Sequence, residues 1–174
     1  MDLIFARHTN KALICLSSAF GSFQALSFLR ITSLESEKFS TQGFKAFFLS
    51  LKHFNALREL NLSFRHGINL NNEALKFLSQ ALGSLSSLSV LDLNFVECSN
   101  ITNAAFETLS SSLKSLKSLR ELVLIFYNCW ALTDEGIDNF RIFLKEMKNL
   151  FHFKLTHNLF EGLSFKTITS NLKS

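Results

Sequence analysis

Apolar residues recur along this chain in segments that begin 31 residues apart. Each segment contains the pattern LxxLxL or a close variant, and the first position of that pattern is always leucine. The spacing holds from Phe23 to Met147 without an insertion or a deletion. A fixed period of this length predicts a repeat architecture. The five segments are FQALSFLRI, FNALRELNL, LSSLSVLDL, LKSLRELVL and MKNLFHFKL.

Within each unit the apolar spacing changes from two residues to three or four. Leu60, Leu62 and Phe64 alternate with polar residues, which predicts a strand with one buried face. Leu75, Leu78, Leu82 and Leu85, at intervals of three and four, predict one buried stripe of a helix. The strands are expected near 26–33, 57–64, 88–95, 119–126 and 150–157.

Polar residues mark the start of every predicted helix. Two residues that can accept hydrogen bonds from free helix amides precede each apolar stripe. A small residue follows two positions later, and we expect it where the helix packs tightly against a strand or turn. The polar pairs are Thr9-Asn10, Ser40-Thr41, Asn71-Asn72, Thr102-Asn103 and Thr133-Asp134, and the small residues are Ala12, Gly43, Ala74, Ala105 and Gly136.

The order strand, loop, helix, repeated in one direction, determines the expected fold. Successive strands joined through helices lie parallel. With every helix on one side, the other face of the sheet stays open. We therefore expect one α/β domain, residues 1–174, built as a solenoid of about five units in which each unit contacts mainly its neighbours.

Two segments after the LxxLxL pattern resemble a known family. CSNITNAAF from Cys98 and CWALTDEGI from Cys129 are similar to leucine-rich repeats of the ribonuclease-inhibitor type, and especially to their cysteine-containing subclass. The resemblance implies a horseshoe arc with a concave parallel sheet and convex helices. Three departures stand out: an extra inward Phe lengthens the strand, cysteine occurs in two copies only, and Ser36, Gly67 and Phe160 replace it elsewhere.

The resemblance implies partner binding and leaves the pathway open. A protein bound on the concave face is the leading expectation. Some proteins with cysteine-containing repeats are substrate receptors of ubiquitin ligases, and some with ribonuclease-inhibitor-type repeats activate small GTPases. A structural spacer within a longer array is a further alternative.

Composition narrows the class of protein. Apolar residues make up 47% and charged residues 18% of the chain, so a packed core is expected, and the net charge of +4 is mild. Three cysteines do not suit a disulfide framework, so we expect a reducing, cytoplasmic location. The first 22 residues also resemble a signal peptide, although the repeat register accounts for the same residues.

Candidate chemistry is sparse. Cys129 beside Trp130, followed by Asp134 and Glu135, fits either a reactive thiol or a packed repeat position that accepts backbone hydrogen bonds. The histidines lack metal-binding spacing, and no phosphate-binding or nucleophile motif is present. His157 occupies the inward position that Phe holds in other units. We expect no catalysis, no cofactor and no metal.

The lysines have two interpretations. They recur at fixed positions late in the helices, which would suit an acidic surface or nucleic acid or a solvated face with cations at helix carboxyl ends. Gly83 and Ser86 interrupt the pattern, and no aromatic residues alternate with it. The lysines are Lys52, Lys114 and Lys145 at one position, and Lys117 and Lys148 at another.

The open sheet face carries the predicted partner site. Most outward positions are polar, and an apolar group near the fourth predicted strand is typical of an interface. An incidental patch, or one covered by a flanking segment, is the alternative. The predicted residues are Val90, Asp92, Glu121, Val123, Ile125, Tyr127, Trp130 and His152. The expected partner is a protein, with no small-molecule substrate, nucleic acid or membrane.

The two ends of the chain suggest association or a longer array. The chain begins inside a helix-bearing unit, and in LSFKTITSNLKS the residues Leu163 and Ile168 continue the register. Neither end shows the polar cap that terminal repeats carry. We therefore expect a fragment of a longer array or end-to-end self-association.

Overall fold

The computed structural model describes residues 1–5, 9–158 and 165–171, which form alternating strands and helices. The strands are β1 (Asp2–Phe5), β2 (Phe28–Ser33), β3 (Glu59–Phe64), β4 (Val90–Asn94), β5 (Glu121–Phe126), β6 (His152–Asn158) and β7 (Phe165–Asn171). The helices are α1 (Asn10–Ala19), α2 (Thr41–Ser50), α3 (Asn72–Leu82), α4 (Asn103–Leu113) and α5 (Asp134–Leu144).

The described strands form one sheet in which the spatial order equals the sequence order. From β1 to β6 every pair is parallel, and equivalent positions of neighbouring units stand opposite each other, as Leu60, Leu91, Leu122 and Phe153 do. Each helix packs against the helices of adjacent units. The predicted leucine-rich-repeat solenoid is confirmed, with the parallel sheet on its concave face and the helices on its convex face.

The regular strands begin two residues later than the sequence pattern indicates. Leu57, Leu88 and Leu119, the first leucines of their segments, lie in turns, where each backbone N–H donates to the carbonyl three residues earlier. These side chains are fully buried nonetheless. The leucine pattern therefore marks buried positions, and these positions extend beyond the strand into the preceding turn.

Both ends of the sheet differ from the expectation. Residues 2–5 form a strand that pairs with β2, so an additional strand precedes α1 in the first helix-bearing unit. At the other end β7 runs antiparallel to β6 and places Ile168 opposite Leu155, so this residue does not begin another helix. The β-branched residues of 165–171 favour a strand. Leu163 lies outside the described residues.

Inward side chains from the strands and helices fill the core. Phe64, Phe95 and Phe126 occupy the same position in successive units and are at most 1% exposed. Their rings contact along the stack, with centroids 6.3 Å apart between the first two and 5.7 Å between the second pair. His157 takes this position in the next unit and is 2% exposed, as its place in the register predicts.

The first unit buries less of its apolar stripe than the others. Phe23 is 44% exposed, whereas its counterpart Phe54 is fully buried. Ile14 on α1 is also 44% exposed, and Leu16 is only partly buried. Among the described residues no further unit lies against this flank. An apolar side surface therefore remains at the β1 end.

The two polar residues at a helix start have different hydrogen-bond partners, one in their own unit and one in the next. Ser40 and Asn71 cap their own helices by accepting from the backbone N–H of Gly43 and Ala74. The second residue of a pair does not cap as predicted, because its side chain reaches the next unit. Asn10, Asn72 and Asn103 accept from the backbone N–H of Ser40, Thr102 and Thr133.

The small helix position is explained by the same inter-unit bonds. A Cβ added to Gly43 would collide with the side-chain oxygen of Asn10, and one added to Gly136 would collide with Asn103. The tight neighbour is therefore an asparagine of the preceding unit, and not the strand or turn that the sequence suggested.

Candidate functional site

The predicted partner residues fall on neighbouring strands of the concave face. Three rows of outward side chains cross this face, each row taking one residue from every strand. The first row contains Val90, Glu121 and His152, the second Asp92, Val123 and Lys154, and the third Asn94, Ile125 and Thr156. Adjacent strands are about 4.8 Å apart, so each row is continuous.

Most of these side chains are half-buried by their neighbours. Val90, Asp92, Val123, Ile125 and His152 are intermediate in exposure. Glu121 is exposed at the edge where the strands begin. The face therefore offers apolar surface that is neither sealed in the core nor fully solvated.

Charges of both signs alternate along the second row. Arg30 on β2 pairs with Asp2 on β1 at 3.5 Å, and Asp92 and Lys154 follow further along the row. Burial raises the pKa of Asp92, while Arg30 and Lys154 lower it and Glu59 raises it further. The neighbouring cations therefore offset only part of the cost of holding this carboxylate in a half-buried place.

A cleft of about 390 Å³ lies where strands β3 to β6 end. We call it the carboxyl-edge cleft, and its lining residues are Arg65, Asn94, Val96, Ile125, Tyr127 and Thr156. The backbone N–H of His66 donates to the carbonyl of Val96, and that of Glu97 donates to the carbonyl of Tyr127. These bonds continue the parallel pairing beyond the strands and hold the residues after each strand side by side.

Two of the predicted residues have different surroundings. Tyr127 lines the carboxyl-edge cleft beside Ile125, as part of one surface with the strand residues. Trp130 lies three residues further on, in the loop before α5, with 54% of its side chain exposed. It is not part of the lining of this cleft.

Sequence reasoning missed Arg65 and Val96. They resemble ordinary loop residues when each is considered alone. Both stand at the position of Tyr127 in preceding units, 31 residues apart, so the repeat register is the signal that could have found them.

The two inner cysteines lie in a buried column between strand and helix. Cys98 donates its thiol hydrogen to the carbonyl of Phe64 at 3.4 Å, and Cys129 donates to that of Phe95 at 3.0 Å. Sequence reasoning predicted that these thiols accept backbone hydrogen bonds, and the bonds from Gly67 and Cys98 that lower their pKa values agree with that role. Burial raises the pKa of each to about 12, against a backbone hydrogen bond that lowers it. Such thiols are poor nucleophiles.

The cysteine column continues in earlier units with smaller side chains. Ser36 is fully buried there, and a Cβ at Gly67 would lie 3.3 Å from the sulfur of Cys98. Thiol groups therefore occupy two of four successive described positions. The column packs and hydrogen-bonds the loops, and all three cysteines of the chain are free thiols.

The remaining candidate residues have ordinary surroundings. The five lysines of the helical pattern are exposed, and Lys114 pairs with Glu146 at 2.8 Å. His157 Nδ1 lies 4.0 Å from an Asp134 oxygen. Within the part of the chain that the structure describes, no three His, Cys, Asp or Glu side chains gather as metal ligands. No helix in that part is long and apolar enough to cross a membrane.

Comparison with known proteins supports the fold. No protein-family model and no curated protein matches the chain. A chain in the crystal structure of the yeast Rad7–Elc1 complex matches with a TM-score of 0.51 and 22% sequence identity, covering 83% of this chain. The match covers 33% of that chain, so this protein spans about a third of its length. The matched protein is a leucine-rich-repeat protein, and at this identity the likeness shows the fold alone.

Proposed function

We propose that this chain is a non-catalytic protein–protein interaction module that binds its partner on the concave sheet face. The observation that carries the proposal is the half-buried surface of β4 to β6, where Val123 lies between Asp92 and Lys154 and Ile125 lines the carboxyl-edge cleft. Apolar anchors surrounded by polar groups are typical of binding interfaces.

The chemistry of the chain supports a binding role over a catalytic one. Cys98 and Cys129, the two buried thiols, hold their protons with pKa values of about 12. Their bonds to backbone carbonyls give them a structural task. We accordingly place the chain with ribonuclease-inhibitor-type repeats near the cysteine-containing subclass, as one domain in a reducing compartment such as the cytoplasm.

A second candidate is the substrate-receptor part of a ubiquitin ligase. Cysteine-containing repeats imply this role by resemblance, and the matched structure is a complex of two different proteins, Rad7 and Elc1. In this role the concave face would hold the substrate. Ubiquitin modification of a captured partner should then fall when the concave face is altered.

Matched substitutions of two isoleucines test the leading proposal. Ile125 lies on the concave face, and Ile142 lies on the convex helix α5 with 62% of its side chain exposed. Affinity purification from the native source, followed by mass spectrometry, should recover a partner with wild-type protein and with Ile142→Asp. The same partner should be lost with Ile125→Asp, while circular dichroism is unchanged.

The opposite pattern would contradict the proposal. A partner that is retained by Ile125→Asp and Val123→Asp, and lost with Ile142→Asp, would place binding on the helical face. The triple change of Val123, Ile125 and Tyr127 to Asp should leave no binding on the concave face.

A further inference from the structure

We infer that the carboxyl-edge cleft binds a short extended segment of the partner protein in which a large apolar residue stands within two positions of an aspartate or glutamate. The apolar side chain fills the space between Val96 and Ile125, and the carboxylate pairs with Arg65. This inference rests on the proposed function and names the chemistry that the concave face recognises.

The size of the cleft favours a side chain over a whole element. Its volume of about 390 Å³ lies near the lower end of ligand-binding pockets, which span about 300–1,000 Å³. An α-helix with its side chains is about 10–12 Å across and needs a wider groove. One large side chain with its adjoining backbone suits this space.

The lining divides into an apolar floor and one cationic rim. Val96, Ile125 and Tyr127 supply the apolar and aromatic surface, and Asn94 and Thr156 are neutral. Arg65 is the single permanently charged lining residue. A ligand without an anionic group would leave the Arg65 charge unpaired. An anionic group beside the apolar one is therefore favoured.

Arg65 is available for such a pair. Its backbone is engaged, because its N–H donates to Ser33 and its carbonyl accepts from Ser36. Its side chain is exposed and forms no ion pair within the described residues. The carboxylate of Glu97, which directly follows Val96 of the cleft, pairs with His66 Nδ1 at 2.6 Å. Arg30 differs in this respect because it already pairs with Asp2.

The opposite edge of the face is mixed in charge, because Arg58 and Arg120 directly precede Glu59 and Glu121. Glu59 and Glu121 stand in the first row, where the strands begin. Arg65 stands beyond the third row, about 20 Å away at about 3.3 Å per residue. An acidic group therefore meets, at the carboxyl edge, a cation without an ion-pair partner among the described residues and, at the amino edge, glutamates, which favours the carboxyl edge for the acidic residue of the segment.

Asn94 adds a side-chain acceptor for a backbone N–H of the bound segment. Its side-chain oxygen is buried and has no hydrogen-bond partner within the described part of the chain. A buried acceptor without a donor is unfavourable, because it has lost its hydrogen bonds to water. Rotation of the amide toward the cleft lets this oxygen accept a backbone N–H from an extended segment, whose peptide groups are unpaired.

A selection with displayed peptides tests the inference. Short random peptides are selected separately on the wild-type protein and on Arg65→Glu. The wild type should enrich a large apolar residue with Asp or Glu within two positions. Arg65→Glu should weaken the selected peptides about tenfold or more in Kd, and replacing their acidic residue by Lys should restore binding to that variant.

Two further variants serve as controls. Arg58→Glu changes an exposed arginine at the other edge of the same unit and should leave the affinity unchanged. Ile125→Asp should abolish binding of the same peptides. Circular dichroism and thermal unfolding establish that each variant is folded, and the exposed position of Arg65 favours this outcome.

The outcomes separate this inference from the proposed function. Peptides that require Ile125 but show no acidic preference would overturn the inference and leave the proposed function standing. Peptides indifferent to Ile125→Asp would contradict both. Failure to select any peptide, or a dimer of the wild type that Arg65→Glu dissociates, would also overturn the inference, the dimer assigning the cleft to a second copy of this chain.

Discussion

Asn103 joins two repeat units by a paired hydrogen bond to Thr133. Its side-chain oxygen accepts from the Thr133 backbone N–H at 2.9 Å, and its amide nitrogen donates to the Thr133 hydroxyl at 2.7 Å. Asn72 makes the same two bonds to Thr102 at 3.0 and 2.8 Å. Polar side chains therefore set the contact between helix starts, while the apolar core fills the space behind them.

Removing this bridge should cost stability. Asn103→Ala leaves the Thr133 N–H without its partner, and we expect a loss of about 1–3 kcal/mol in the free energy of unfolding. Urea denaturation measures the loss. Asn139→Ala, at an exposed position of α5, is the control. Equal effects of the two changes would show that the bridge contributes nothing.

Gly136→Ala should be less destabilising when Asn103 is shortened. In the wild type an added Cβ would lie 2.5 Å from Asn103 Cγ, so we expect destabilisation. In the Asn103→Ala background only the Cβ of residue 103 remains close, at 2.9 Å, so the destabilisation should be smaller and is offset in part by up to about 1 kcal/mol of helix propensity. A double-mutant cycle measures the coupling. Additive effects would contradict the contact.

Thiol reactivity should separate the three cysteines. The pKa of Cys98 and of Cys129 is raised to about 12 by burial, whereas Cys15 is exposed. Alkylation of the folded protein at pH 8 should modify Cys15 alone, and in denaturant all three should react. Mass spectrometry of the products gives the sites. Rapid labelling of Cys129 in the folded state would refute its buried position.

The same two thiols predict a loss of stability at alkaline pH. Each pKa is higher in the folded state than the ordinary value of 9.0, so the folded state holds the protons more tightly. Their contribution is fully present below pH 9 and is lost as the pH rises towards 12. A Cys98→Ala, Cys129→Ala variant should show a flatter decline of unfolding free energy across this range.

Asp92→Asn should stabilise the protein at neutral pH. Burial raises the pKa of Asp92, so its carboxylate is less favourable in the folded chain than in the unfolded one. The group favours folding while it is protonated, and this contribution is lost as the pH rises through the folded pKa. The gain from Asn should therefore shrink on acidification, as denaturation at several pH values can measure. A constant gain would rule out titration as its cause.

The exposed flank beside β1 should promote self-association. Phe23 is 44% exposed where the next unit buries its counterpart Phe54, and Ile14 on α1 is also 44% exposed. Sedimentation velocity should show association that grows with concentration and falls with Phe23→Ser. Ile142→Ser, which changes an exposed residue of α5, should leave it intact. A wild type that stays monomeric at high concentration would contradict this prediction.

The sequence predicted most of the fold because burial on one face produces a readable period. Leu60, Leu62 and Phe64 alternate as strand residues and are all buried. The sequence pattern did not predict a strand at residues 2–5, because the segment is short. In addition, Ile4 points outward, is 70% exposed and breaks the alternation of apolar and polar residues. The strand β7 escaped because Ile168 also fits the repeat spacing.

The candidate site was predicted less completely because it depends on contacts between units. Alternation alone identifies Val123 and Ile125 as outward residues of one strand. Their closeness to Arg65 follows only when three units stand in register, and the bridging role of Asn103 likewise requires its neighbour. An asparagine at a helix start fits a cap equally well, and only coordinates distinguish the two.

The bridges of Asn72 and Asn103 use identical positions, so the two junctions are interchangeable. Excision of residues 73–103, one whole period, would join Asn72 to Ala104 and place its amide opposite Thr133. The shortened chain would need no new kind of contact between its repeat units. The span of the array is therefore free to lengthen or contract in whole periods, so that its reach can vary while its cross-section stays the same.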